Sequence, residues 1–242
     1  MTRGRIYRQC SKIGALVSKL NLKNIQNLLF DLDGTLVDSS QTISESIEFA
    51  LERMGVVPGV GTSIESVIGA SLFDIFRNEF DMTDAQAHVA IDLYRKHYDK
   101  LNQAGTRVYE SIRDVLPRLK TAGYRLFIAT VKPTQIAEKV LSDLDLRVWF
   151  DGIAGSSMDS RRRDKSSIIA HALRKFDLDP RCSIMIGDRD QDIIGARENG
   201  MSAIAVTYGF GSREELDSVR PEHLVERSEE IVSLLVNPSM AK

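Results

Sequence analysis

The sequence predicts an α/β protein, a parallel sheet with helices on both faces, carrying an all-helical insertion. Three observations predict it. From Tyr124 to Thr207, apolar runs of strand length alternate with stretches of helical periodicity, the order that builds a parallel sheet covered on both sides. Several of those runs stop abruptly at an acid, a threonine or a glycine. Between the first run and the rest lie about sixty residues with helical stripes and no strand pattern.

The elements follow in order. Ile6, Cys10, Ile13, Val17 and Leu20 recur at helical spacing, so residues 5–20 read as a short amphipathic helix. It fits an extra helix on the core or an unstructured leader. Its basic, acid-free character also fits a targeting leader or surface anchor, although short basic segments are more often just solvated. Asn27 to Asp33 is a buried strand stopping at acids. Ile43, Ile47, Ala50, Leu51 and Met54 form one helical stripe, and Val89, Leu93, Tyr94, His97 and Leu101 form another. Pro58, Gly59, Gly61 and Gly69 make the stretch between them loop-rich. Tyr124–Thr130 is a strand, and Pro133 opens a helix running to about Asp143. A strand over Phe150–Gly155 precedes a helix from Asp164 to Phe176. Cys182–Gly187 is a buried strand, Asp190–Asn199 a helix closed by Gly200, and Ser202–Thr207 a further strand. Ile231, Leu234 and Leu235 mark a C-terminal helix. The division expected is a basic extension over 1–25, a core over 26–38 and 107–242, and a helical insertion over 39–106.

Composition narrows the function. The chain is 43% hydrophobic and 27% charged with a net charge of −2, which gives no basic stripe for nucleic acid. Residues 1–27 hold six basic groups and no acid, leaving 26 basic against 34 acidic residues in the remainder. No apolar stretch reaches the roughly 20 residues of a membrane span. Cys10 and Cys182 have no metal-ligand spacing and imply no disulfide framework, so a reducing, cytoplasmic compartment is expected.

Right-handed crossovers bring parallel strand ends to one rim, and four polar clusters fall at such ends. Asp31-Leu32-Asp33-Gly34-Thr35 follows Leu-Leu-Phe, and alternation along a strand turns Asp31 and Asp33 to one cavity. Thr130 ends the second run, where its hydroxyl and the Val131 amide can donate to an anion near a helix start. Alone it would read as a helix N-cap. Lys165 follows Arg161-Arg162-Arg163-Asp164 and would alone be a surface lysine. Asp188 follows Ile184-Met185-Ile186-Gly187 directly, with Asp192 one helical turn on. A carboxylate at a buried strand end calls for a cation.

In that order the clusters resemble the haloacid dehalogenase superfamily, in the branch with a helical cap inserted into a Rossmann-like core. Asp31-Leu32-Asp33-Gly34-Thr35 matches the first motif, Thr130 the second, Lys165 the third, and Gly187-Asp188 with Asp192 the fourth. Gly155-Ser156-Ser157-Met158-Asp159 and Val206-Thr207-Tyr208-Gly209-Phe210-Gly211 look like the phosphoglycolate phosphatase and 5′-nucleotidase-like members. Three positions depart from it. Val131 stands where Ser or Asn is frequent. Gly69-Ala70-Ser71-Leu72 replaces Gly-Pro-Pro-Leu, and Tyr109-Glu110-Ser111-Ile112 lacks a Pro-Gly.

The resemblance implies a Mg²⁺-dependent phosphomonoester hydrolase acting on a small-molecule phosphate ester, with Asp31 as nucleophile and Asp33 as acid and base. It also implies Mg²⁺ on Asp31, the Asp33 main-chain carbonyl and Asp188, phosphate contacts from Thr130, Val131 and Lys165, and Asp192 orienting Lys165 or metal-bound water. Asp33 is expected to be crowded by neighbouring carboxylates. A phosphosugar mutase on the same scaffold and a non-catalytic module retaining the fold are the alternatives.

Overall fold

The structure is a computed structural model that describes residues 24–57, 64–101, 105–157 and 162–236. The helix expected over 5–20, with Cys10, lies outside the described residues. Six parallel strands form one sheet in the order β5-β4-β1-β6-β7-β8. These are β1 (Asn27–Phe30), β4 (Arg125–Pro133), β5 (Gly152–Ser156), β6 (Ser183–Gly187), β7 (Ser202–Val206) and β8 (His223–Val225). No described helix is long and apolar enough to cross a membrane.

β1 is central, paired in register with both neighbours, so that Phe30 lies opposite Ile128 of β4 and Ile186 of β6. All its residues are buried, as an apolar run without polar alternation requires when both faces are covered. Alternation then sorts side chains into two cores. Leu28, Phe30, Leu126, Ile128, Ile184 and Ile186 face α5 (Ile112–Thr121), α6 (Thr134–Asp143) and α10 (Ser228–Leu235). Leu29, Phe127, Ala129, Met185 and Ala203 face α7 (Lys165–Phe176), α8 (Asp190–Glu198) and α9 (Arg213–Val219).

The insertion leaves and returns through a two-stranded antiparallel ribbon, β2 (Val37–Asp38) against β3 (Arg107–Val108). Its helices are α1 (Ser40–Met54), the short α2 (Ile64–Val67), α3 (Leu72–Asp74) continuing as a wide turn over Ile75–Glu79, and α4 (Asp84–Leu101). They enclose their own cluster, including Ile47, Leu51, Phe76, Ala87 and Ile91.

Several expectations need correction. The buried face of α4 is Ala87, Ala90, Ile91, Tyr94 and Tyr98; Val89 is 52% exposed. Small alanines let α4 approach α1 along a face that large-residue periodicity does not mark. β4 runs three residues beyond Thr130, with an irregular register between Thr130 and Pro133, so Pro133 precedes α6 instead of opening it. Ribbon β2–β3, α5, α9 and β8 had no counterpart in the sequence reading. Ser111, at the position where a Pro-Gly was absent, has φ 64°, a left-handed conformation that favours glycine, and its hydroxyl bonds Glu229 at 2.5 Å.

Phe76 is fully buried in the insertion's cluster. Phe76→Ala is expected to lower stability by about 3–5 kcal/mol, measured as a reduced urea midpoint.

Candidate active site

The rim is assembled from the C-terminal ends of β1, β4 and β6 and the start of α7. Asp31 follows β1 directly, its backbone N–H donating to Ile186 O at 2.9 Å. One carboxylate oxygen accepts from the Leu32 N–H at 2.8 Å; the other meets Lys165 Nζ at 2.9 Å. Lys165 opens α7, where Asp164 caps the helix by accepting from the Ser167 N–H. Its ammonium also donates to Ala129 O at 3.2 Å and lies 2.7 Å from Asp192 Oδ1. That last approach is a buried ion pair. Asp192 Oδ2 accepts from the Arg189 N–H at 3.1 Å.

Asp188, fully buried, accepts from Thr35 Oγ1 at 2.8 Å and from the Phe210 N–H at 2.9 Å. Glycine is required around it. Gly34 has φ 84°, and a Cβ there would lie 2.1 Å from Asp188 Oδ2. A Cβ on Gly209 would lie 2.4 Å from the Asp188 side chain. Backbone presses on this carboxylate from two turns.

The electrostatics follow from burial. Desolvation, then Asp192 and Asp31, push the Asp188 carboxyl up to about 8, against the bonds from Phe210 and Thr35. Desolvation raises Asp192 to about 6, with Lys165 pulling the other way. Burial works against the charge of Lys165, yet Asp192 and Asp31 outweigh it and hold the ammonium above its ordinary range. Oxygens of Asp31, Asp188 and Asp192 lie within 4.8 Å of one another. With all three carboxylates ionised, one buried ammonium leaves about two negative charges to be balanced, by protons or by a cation. A divalent cation would supply that balance. The all-oxygen donor set fits a hard ion such as Mg²⁺.

Asp33 has a different environment. β1 ends at Phe30, and Thr35, Leu36 and Val37 all donate backbone bonds to Leu32 O. Asp33 thus opens the turn that follows β1 and lies beyond the strand whose alternation was invoked for it. Nor is Asp33 crowded by carboxylates. Lys132 Nζ contacts its two oxygens at 2.8 and 2.7 Å, and Ser39 Oγ donates at 2.6 Å. Lys132 is buried, which disfavours its charge, but Asp33 more than compensates and raises its pKa.

Thr130 is buried at the same rim. Its hydroxyl oxygen accepts from the Lys132 N–H at 3.2 Å, so it shapes the β4 irregularity and caps no helix. Val131, Lys132 and Asp33 line a cavity whose other walls include Ile43, Leu72, Tyr94 and Ile136. Gly69, Ala70 and Leu72 line it too, whereas Tyr109 and Glu110 line a separate surface pocket with Tyr208. Arg163 stacks on Phe73 and pairs with Asp74 at 3.4 Å, tying the core to the insertion.

Lys132, Ser39, Thr35 and the Phe210 amide were missed in the sequence. A basic residue two positions past Thr130 was the available signal for Lys132. It went unread because the strand was expected to stop at Thr130.

Residues 28–206 match the family described as haloacid dehalogenase-like hydrolase, and the chain belongs to that family. A 5′-nucleotidase of Pseudomonas aeruginosa is 36% identical over 197 residues, 81% of this chain and 89% of its own. Tyrosine-protein kinase PtkA of Mycobacterium tuberculosis is 33% identical over 192 residues, 79% of this chain and 65% of its own. The crystal structure of a predicted phosphatase from Clostridium acetobutylicum has a TM-score of 0.83 at 35% identity, covering 88% of this chain and 98% of that one.

The raised carboxyls make a pH prediction. The folded pKa of Asp188, about 8, lies above its unfolded value of about 3.9. The metal-free native state therefore holds a proton that the unfolded chain has lost, and stability falls as pH rises between those values. The expected slope is up to about 1.4 kcal/mol per pH unit per group. Melting temperature in EDTA should drop from pH 5 to pH 8, and added Mg²⁺ should raise it more at pH 8. Asp188→Asn should flatten both trends.

Proposed function

We propose that the chain is a Mg²⁺-dependent phosphomonoester hydrolase working through a phospho-aspartyl intermediate on Asp31. The observation that carries the reading is the Asp31 carboxylate, buried and oriented by Lys165 beside two further acids that leave charge for a cation. A non-catalytic module gains nothing from holding three desolvated carboxylates around one ammonium.

The chain's own residues divide the work. An Asp31 oxygen forms a bond to phosphorus as the bond to the leaving oxygen breaks, and Asp33 supplies the proton that oxygen takes. Water then attacks the acyl phosphate and returns a proton to Asp33, regenerating Asp31. Lys165, the Thr130 hydroxyl and the Val131 amide hold the phosphoryl oxygens, with Val131 offering only its main chain. Asp192 fixes the Lys165 ammonium. The Mg²⁺ would be held by Asp31, the Asp33 main-chain carbonyl and Asp188, and when bound it would draw charge from the phosphoryl oxygens.

Residues 39–106 form the cap in this reading, with the core over 26–38 and 107–242. The cap excludes bulk water and reads the leaving group. The cavity walls are mainly apolar, with Tyr94 and Tyr98 rings stacked at 5.6 Å. That lining favours an ester with a flat or apolar group, such as a nucleoside monophosphate, over phosphoglycolate. The name of the P. aeruginosa relative agrees. A second reading, phosphoryl transfer from Asp31 to a hydroxyl, draws support from the PtkA relative.

Purified protein with Mg²⁺ is expected to release inorganic phosphate from 4-nitrophenyl phosphate. Asp31→Asn should reduce release to below about one-thousandth with the melting transition retained, and EDTA should stop it until Mg²⁺ is restored. Full activity in Asp31→Asn would refute the assignment. A panel of phosphate esters ranked by kcat/KM should place nucleoside monophosphates above phosphoglycolate.

A further inference from the structure

We propose that Lys132 is a positioning residue that aims Asp33 at the leaving oxygen, and that Tyr98 passes the seating of the helical segment on to it. The proposal rests on the phosphatase reading and adds a residue to it.

The argument begins with the freedom of a carboxylate. The terminal torsion of an aspartate is broad, so a strand end alone does not orient its oxygens. At Asp33 that freedom is removed by two groups that make three contacts. Lys132 Nζ sits 2.8 Å from Oδ1 and 2.7 Å from Oδ2, and a single ammonium gripping both oxygens anchors the end of the carboxylate. Ser39 Oγ donates to Oδ1 at 2.6 Å, which settles which oxygen faces which way. Oδ1 thus has two donors and Oδ2 one. Each carboxylate oxygen has two lone pairs, so Oδ2 keeps accepting or proton-carrying capacity in a residue that lines the cavity.

The supports of this clamp come from different parts of the chain. Lys132 is carried on β4 of the core, in the irregular stretch between Thr130 and Pro133. Its ammonium lies 5.0 Å from the centroid of the Tyr98 ring, within cation–π range, and Tyr98 belongs to α4. Ser39 immediately precedes α1. The acid is therefore held through the entry to the first helix of the insertion and, by way of Lys132, through its last. The Ser39 bond is local to the junction, and the Tyr98 contact requires the segment to be seated on the core. Among the described residues Asp31 has no such link: its side chain meets Leu32 and Lys165. The geometry couples the segment to proton delivery and leaves the nucleophile independent of it.

This predicts a loss that depends on the leaving group. An ester whose alcohol leaves as a stable anion needs little protonation, whereas an alkyl ester needs the acid, a contribution of about 10²–10⁴-fold. Steady-state kcat/KM in Mg²⁺ is measured on 4-nitrophenyl phosphate and on a simple alkyl phosphate. Lys132→Met is expected to lose about 100-fold or more on the alkyl ester and less than a tenth of that factor on the aryl ester. Lys132→Arg should recover part of the alkyl activity. Tyr98→Leu should show the same selectivity in weaker form, and Tyr98→Phe, which keeps the ring, should not. In an Asp33→Asn background, Lys132→Met should change the alkyl rate by less than about threefold, as expected when two residues act through one.

Equal losses on both esters, or an undiminished effect of Lys132→Met without Asp33, would overturn the proposal and mark Lys132 as a phosphate contact or a packing residue. Should Lys132→Met fail to fold, the Tyr98 pair and Lys132→Arg carry the same comparison. A wild-type chain inert on both esters would overturn the phosphatase reading and this proposal together; an active wild type with unselective variants would overturn this proposal alone.

Discussion

The Lys165 ammonium between Asp31 and Asp192 is the interaction on which the rest of the site depends. It is buried, as are both partners, so its cost in lost hydration has to be met locally. A well-packed apolar side chain would stabilise the position more cheaply. Retaining the ion triplet makes sense if its charge is wanted, and the geometry shows where. It holds the Asp31 carboxylate at the tip of the central strand and leaves Asp188 short of positive charge. The ion deficit and the nucleophile's orientation are two results of one contact.

Fold and site are connected through the position of β1 in the sheet. With β4 on one side and β6 on the other, its end lies beside the ends of both neighbours. Asp31, Thr130 and Asp188 therefore come from three strands that are distant in sequence and adjacent in space. Lys165 reaches them from the first turn of α7, whose start faces the same rim. Glycines at 34 and 209 permit two turns to close over Asp188, and a side chain at either position would displace the carboxylate.

Much of this was legible in the residues. Parallel strands buried on both faces must be apolar, so the runs within Asn27–Asp33, Tyr124–Thr130 and Cys182–Gly187 stood out, and the acids ending two of them stood out by contrast. Asp31, Lys165, Asp188 and Asp192 do come together. The environment of Asp33 was not legible, since it depends on a turn centred on Leu32 O and on a strand that continues past Thr130 through an irregular register. Neither leaves a periodic trace. Two-residue strands such as Val37–Asp38 have no periodicity to detect, and α9 has a mostly polar surface with Leu216 as its buried residue. The packed face of α4 was misplaced because alanines carry little hydrophobic signal while permitting the closest approach.

The ribbon formed by Val37–Asp38 and Arg107–Val108 has a consequence for how such a chain can diversify. Because the two crossings are hydrogen-bonded neighbours, everything between them is a closed excursion whose ends already meet. Its length and content can change without altering the spacing of the six sheet strands, because loop closure grows only slowly in cost with length. The architecture thus separates a part that evolution can exchange from a part that it must conserve. In the proposed function, the chemistry stays with the sheet and the choice of molecule admitted to it travels with the excursion.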